Sequence, residues 1–183
     1  MIYAPIDPAT GCFSNVESGD VLPAGAAKIT AADALMMSNT PYGFTCFKPD
    51  GKGGVLLDDA AALAFDVAEA KASKMRELNE ACRLAITGGF QSSALGSPYT
   101  YDSTLEDQLN LEGLVSRGLD TPFRCTDAAG VKSFVPHTAA QLLQVKEDGV
   151  AYKMGHLVHC DTLKAQVNDK LTDTVAKVKA IAW

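Results

Sequence analysis

Apolar positions after residue 58 recur mostly at helical spacing, and those before it come in short runs between turn-forming residues. Asp59 to Thr87 has no Gly or Pro and is rich in Ala, Leu, Glu and Lys. Leu63, Val67, Met75, Leu78, Cys82 and Ile86 fall roughly along one face. This predicts a helix ended by Gly88-Gly89. Phe90 to Ala94 and Pro98 to Tyr101 predict a hairpin around Leu95-Gly96-Ser97. Ser103-Thr104-Leu105-Glu106 fits an S-x-x-E capping box opening a helix through Leu109, Leu111, Leu114 and Val115 to Gly118. Phe123 to Thr126 and Val131 to Val135 predict a second hairpin, turning at Asp127-Ala128-Ala129-Gly130. Thr138-Ala139-Ala140-Gln141 is another capping box. From there the chain is expected to be helical to Trp183, with Gly149 and Gly155 as weak points.

The N-terminal pattern differs. Ile2-Tyr3-Ala4 and Cys12-Phe13-Ser14 predict short strands flanking a turn-rich spacer. Thr30, with Asp33 three residues on, predicts a short helix start. Tyr42 to Phe47 alternates aromatic and small residues and predicts a strand. Pro49-Asp50-Gly51-Lys52-Gly53-Gly54 turns the chain, and Val55-Leu56-Leu57 returns as its partner. The fold class expected is α+β. A small strand-rich module over 1–58 precedes a helix–hairpin–helix–hairpin–long-helix domain over 59–183.

The last stretch carries a narrow apolar seam. Leu163, Val167, Leu171, Thr174, Val178 and Ala182 are spaced 4, 4, 3, 4 and 4, and Val175 and Ile181 widen it. Such a seam packs on the protein's own core, or serves self-association or docking to a fibrous partner.

Charge sharpens the division. The chain has a net charge of −6 and a pI near 5.0. Residues 1–70 hold nine acidic residues and three lysines, and the remainder is balanced. A chain this acidic is a poor general nucleic-acid binder, because phosphate recognition needs clustered Lys and Arg. The N-terminus lacks the pattern of a secretory signal. The longest apolar run, Ala60 to Phe65, falls far short of the roughly 20 residues of a membrane span. Five cysteines, at 12, 46, 82, 125 and 160, form no C-x-x-C pair. Buried reduced thiols in a cytoplasmic protein are the expectation.

Chemistry-bearing groupings are few. His156, His159 and Cys160 lie at i, i+3 and i+4 on a predicted helix. They are weak candidates for metal ligands, needing Cys125 or His137 to complete a set. His137 with Asp127 and a nearby Ser or Cys is a possible triad, but no nucleophile elbow accompanies it. Gly51-Lys52-Gly53-Gly54 lacks the register of a phosphate-binding loop. Tyr99 and Tyr101, two apart on a strand, share a face that suits an interface or a core. No cofactor is implied.

Longer stretches carry more information. Ala85-Ile86-Thr87-Gly88-Gly89-Phe90-Gln91-Ser92-Ser93-Ala94-Leu95-Gly96-Ser97-Pro98-Tyr99-Thr100-Tyr101-Asp102-Ser103 is followed by Glu106-Asp107-Gln108-Leu109-Asn110-Leu111. Pro122-Phe123-Arg124-Cys125-Thr126-Asp127 and Phe134-Val135-Pro136-His137-Thr138-Ala139-Ala140-Gln141-Leu142 complete the set. With them, the segment from about Asp59 to Trp183 resembles a phage domain of unknown function found in tail-fibre assembly-like proteins. More loosely, Gly11-Cys12-Phe13, Leu22-Pro23-Ala24-Gly25-Ala26 and Ile29-Thr30 resemble the start of phage tail-fibre assembly proteins. The resemblance implies a non-enzymatic accessory protein that binds a phage tail fibre. Such a protein would act in the host cytoplasm during assembly or remain on the virion tail. No catalytic residues come with it. The alternatives are a structural virion component (a fibre, baseplate or collar adaptor) and a small metal-dependent enzyme. A homo-oligomer through the C-terminal helix is the further expectation. No nucleic-acid or membrane partner is expected.

Overall fold

The computed structural model describes residues 1–183, an α+β protein of nine strands and five helices. The chain divides into two compact units. One comprises Met1–Ala72 and Asp173–Val178, the other Ser73–Thr172 and Lys179–Trp183. The division falls inside a helix rather than at the expected 58/59 boundary. Charge and turn content mark where that helix begins, and one helix carries the chain from one unit into the next.

In the first unit, β1 (Ile2–Pro5) is the centre of an antiparallel sheet, flanked by β2 (Glu17–Ser18) and β3 (Ala26–Lys28). Ala4, Phe13, Ile29, Met37 and Phe47 form its core. The predicted helix start is α1 (Ala31–Ser38). Thr30 Oγ1 accepts from Asp33 N at 3.0 Å, and the Asp33 carboxylate accepts from Thr30 N at 3.2 Å. The expected strand at Cys12–Ser14 reduces to one bridge, between Ile6 and Phe13. The strand expected from Tyr42 begins only at Phe47, because Gly43 takes φ 61° and leads into a single 3-10 turn. β4 (Phe47–Pro49) then pairs with β5 (Val55–Leu57).

Helix α2 (Asp59–Thr87) has the predicted limits. Beyond it, β6 (Phe90–Ser92), β7 (Tyr99–Tyr101), β8 (Thr121–Thr126) and β9 (Lys132–His137) form one antiparallel sheet in that order. The two predicted hairpins are thus joined edge to edge. α3 (Leu105–Arg117) separates them in sequence, and α4 (Ala139–Asn168) follows. Phe90, Tyr101, Leu111, Cys125, Leu142 and Val145 form the core between sheet and helices. Leu78, Cys82, Cys160, Leu163 and Val167 form a second cluster where α2 meets α4.

Two capping details differ in kind. α4 begins at the predicted Thr138–Gln141 box. α3 begins one residue later than predicted. Its box is Thr104 with Asp107, at 3.2 and 3.1 Å. Ser103 is buried instead, and its carbonyl accepts from Gln108 Nε2 at 3.0 Å. Both registers satisfy the sequence pattern; burial of Ser103 decides between them.

The long C-terminal helix breaks, though not at its glycines. α4 runs through Gly149 and Gly155. A Cβ at Gly149 would lie 2.8 to 3.2 Å from the Phe90 ring, so that glycine permits close helix–strand approach. The break comes after Asn168. Asp169 Oδ1 accepts from Leu171 N at 2.7 Å and its carbonyl from Thr172 N at 3.1 Å, which turns the chain. A short α5 (Val175–Ala180) follows.

Candidate interaction surface

The polar groupings singled out in the sequence are used for structure. Cys160 is buried, and its thiol donates to the Leu78 carbonyl at 3.6 Å. His156 and His159 instead lie against Trp183, with ring centroids 5.9 and 5.0 Å from it. The three candidate ligands therefore do not converge, and no cluster of three His, Cys, Asp or Glu side chains is placed to hold a metal. His137 is buried beneath the sheet. Val135 O can only accept, so the 2.7 Å contact from His137 Nδ1 places the proton there. Nε2 then accepts from Tyr101 Oη at 2.9 Å. Both ring nitrogens are engaged. Asp127 caps the β8–β9 turn, accepting from Ala129 N and Val131 N at 2.9 and 2.8 Å. The triad is not assembled. In the glycine-rich loop, Asp50 Oδ1 accepts from Lys52 N at 2.7 Å and Gly54 N at 2.9 Å. These backbone bonds hold the Asp50 carboxyl below the ordinary carboxylate range.

The expected interface residues divide. Tyr101 is fully buried, stacked near Phe90 and Phe123, with Tyr99 half-buried against the same core. Leu163, Val167 and Val178 are buried and Val175 is half-buried. Leu171 is 78% exposed in the turn after α4. The seam is thus no continuous stripe. Its members spread over two helices and a turn, and three of them already pack inside the protein. These positions do not share one exposed face.

A row of apolar side chains left to solvent lies elsewhere on α4. Leu142, Val145, Cys160, Leu163 and Val167 are its buried positions. At 100° per residue, Leu143, Val150, Met154, Leu157 and Val158 fall on a different side. They are 40–61% exposed. Leu143, Val150 and Leu157 repeat every seven residues, and Met154 follows Val150 by four, a spacing suited to receiving another helix. Lys146 and Lys153 border the stripe on the α3 side. Lys146 Nζ reaches Glu112 Oε1 at 2.8 Å, and Lys153 Nζ donates to Gln108 Oε1 at 3.2 Å. Glu147, also exposed, falls between Met154 and Val158 around the helix. The 7, 4, 3 spacing from Leu143 to Leu157 is present in the sequence. It is obscured because Leu142 and Val145 overlay a second apolar face on the same helix.

The sheet adds a smaller feature. Phe134, opposite Arg124 in the β8–β9 register, is 69% exposed. Asp102 pairs with both Arg124 and Lys132 beside it.

A family model described as a domain of unknown function, DUF4376, matches residues 69–182, well over half of the chain. The chain belongs to the DUF4376 family. No curated protein and no solved structure matches it. The DUF4376 match takes in the four-stranded sheet, α3 and both apolar sides of α4. It excludes the strands of the first unit. No helix is long and apolar enough to cross a membrane.

Proposed function

We propose that this DUF4376 protein is a non-enzymatic accessory that binds a phage tail fibre during assembly. The observation that carries the reading is the outward stripe of α4, where five large apolar side chains stand in water on a well-capped helix of 30 residues. Exposed apolar residues in a contiguous stripe are the mark of an interaction surface. Unassembled fibre chains expose apolar surface of their own, and covering it suppresses aggregation. The resemblance of residues 85–142 to tail-fibre assembly-like proteins supplies the partner. The acidic N-terminal third speeds encounter with a basic fibre tip.

Co-expression with the neighbouring tail-fibre gene tests this. Soluble trimeric fibre should depend on the chain, and the two should co-purify. Equal yield of soluble trimer without the chain would end the assembly reading. Recovery of the chain at fixed copy number in purified particles would make it a virion adaptor instead.

A further inference from the structure

Cys82 on α2 and Cys160 on α4 are both buried in the second unit. The Cys82 thiol donates to the His156 carbonyl at 3.7 Å, and the Cys160 thiol donates to the Leu78 carbonyl at 3.6 Å. Each acceptor belongs to the residue one helical turn before the other cysteine. Each thiol therefore points into the contact between α2 and α4, beside the helical turn that carries the other cysteine. The remaining cysteines are not arranged this way. Cys12, Cys46 and Cys125 are likewise free and buried.

We propose that Cys82 and Cys160 are a disulfide site, at which a low-molecular-weight disulfide oxidant closes a bond tying α2 to α4. The exchange balances without any further reagent. One cysteine, as thiolate, attacks a sulfur of the oxidant R–S–S–R and releases R–S⁻. The second thiolate attacks the protein sulfur of that mixed disulfide and releases the other R–S⁻. The two cysteines lose two electrons and two protons, and the oxidant becomes two R–SH. The thiol form dominates until then, because burial pushes the Cys82 thiol up from its ordinary range. Closure is therefore slow at neutral pH and faster in alkali. It requires only brief local opening of the α2–α4 contact. The bond closes a long loop that includes α3 and the whole sheet, so it restricts the unfolded chain and stabilises the helix bearing the exposed stripe.

The test is incubation of the native full chain with oxidised glutathione at about pH 8.5, where free thiols begin to ionise, followed by denaturing alkylation and mass analysis. All five cysteines are free at the outset. Expected are loss of two alkylation sites, a proteolytic fragment linking Cys82 to Cys160, and a melting temperature raised by several degrees. Cys82→Ala and Cys160→Ala should each abolish the link while leaving the remaining four thiols alkylatable. Circular dichroism shows that each variant is folded. Full alkylation of all five thiols, a stable glutathione adduct on Cys82 or Cys160, or a bridge to any other cysteine would overturn the proposal.

Discussion

Leu142 and Leu143 are neighbours on α4 with the same side chain and opposite fates. Leu142 is fully buried against the sheet core, and Leu143 is 47% exposed on the outward stripe. The contrast holds along the helix, with Val145, Cys160, Leu163 and Val167 inward and Val150, Met154 and Leu157 outward. Folding accounts for one apolar side of α4. The other is surplus to the stability of the chain and has to be explained by what the helix meets outside it.

The inward side should dominate stability. Leu142→Ala removes a side chain from a closed core and should cost about 2–5 kcal/mol in urea denaturation. Leu143→Ala should change stability by less than about 0.5 kcal/mol. Equal effects at the two positions would show that the outward side is packed in solution and would break the comparison.

Alkali should act on the buried core beneath the inward side. Burial, followed by its interaction with Cys125, pushes the Tyr101 hydroxyl far above the ordinary tyrosine range, and burial raises the Cys125 thiol. In the unfolded chain these groups ionise from about pH 9 to 10, while in the folded chain they stay protonated. Their stabilisation is therefore complete below that range and is lost progressively as pH rises above it. Tyr101→Phe should flatten the alkaline fall in melting temperature. An unchanged slope would show that Tyr101 ionises as freely in the fold as outside it.

The two glycines of α4 test the same contrast at backbone level. Gly149 faces the Phe90 ring at a distance no Cβ tolerates, whereas nothing lies within 4 Å of a Cβ built on Gly155. Gly149→Ala should destabilise by about 1–3 kcal/mol through overpacking. Gly155→Ala should stabilise by up to about 1 kcal/mol, the helix propensity it recovers. Thermal melts of the two variants should move in opposite directions.

Those glycines also show where the sequence could be read and where it could not. Propensity marks both as weak points, yet neither interrupts the helix, because tertiary packing decides what a glycine is for. α2, both hairpins and the Thr30 and Thr138 boxes were legible, since each rests on local chemistry: uninterrupted helix formers, turn residues, a side chain capping its own helix. The start of α3 was ambiguous because Ser103/Glu106 and Thr104/Asp107 fit one pattern, and only burial separates them. The seam from Leu163 to Ala182 kept helical spacing across a real break at Asp169. Periodicity registers where apolar residues fall and is blind to a turn that preserves their phase. The outward stripe stayed hidden for the converse reason. With apolar residues on two sides, α4 has no single preferred direction for periodicity to detect.

Polar substitution of the stripe should have the smallest effect on folding and the most selective effect on binding. Val150→Gln, Met154→Gln and Leu157→Gln each keep a residue compatible with helix and place an amide where water already reaches. Each should shift stability by less than about 0.5 kcal/mol. If the stripe receives the fibre, combining the three should abolish co-purification, because apolar contact is lost while an amide must be desolvated at the interface. A triple variant that melts with the parent and still recovers the fibre would move the binding surface elsewhere, with the exposed Phe134 of β9 next to examine. A triple variant that unfolds would show instead that the outward side belongs to the folded core, which the contrast between Leu142 and Leu143 denies.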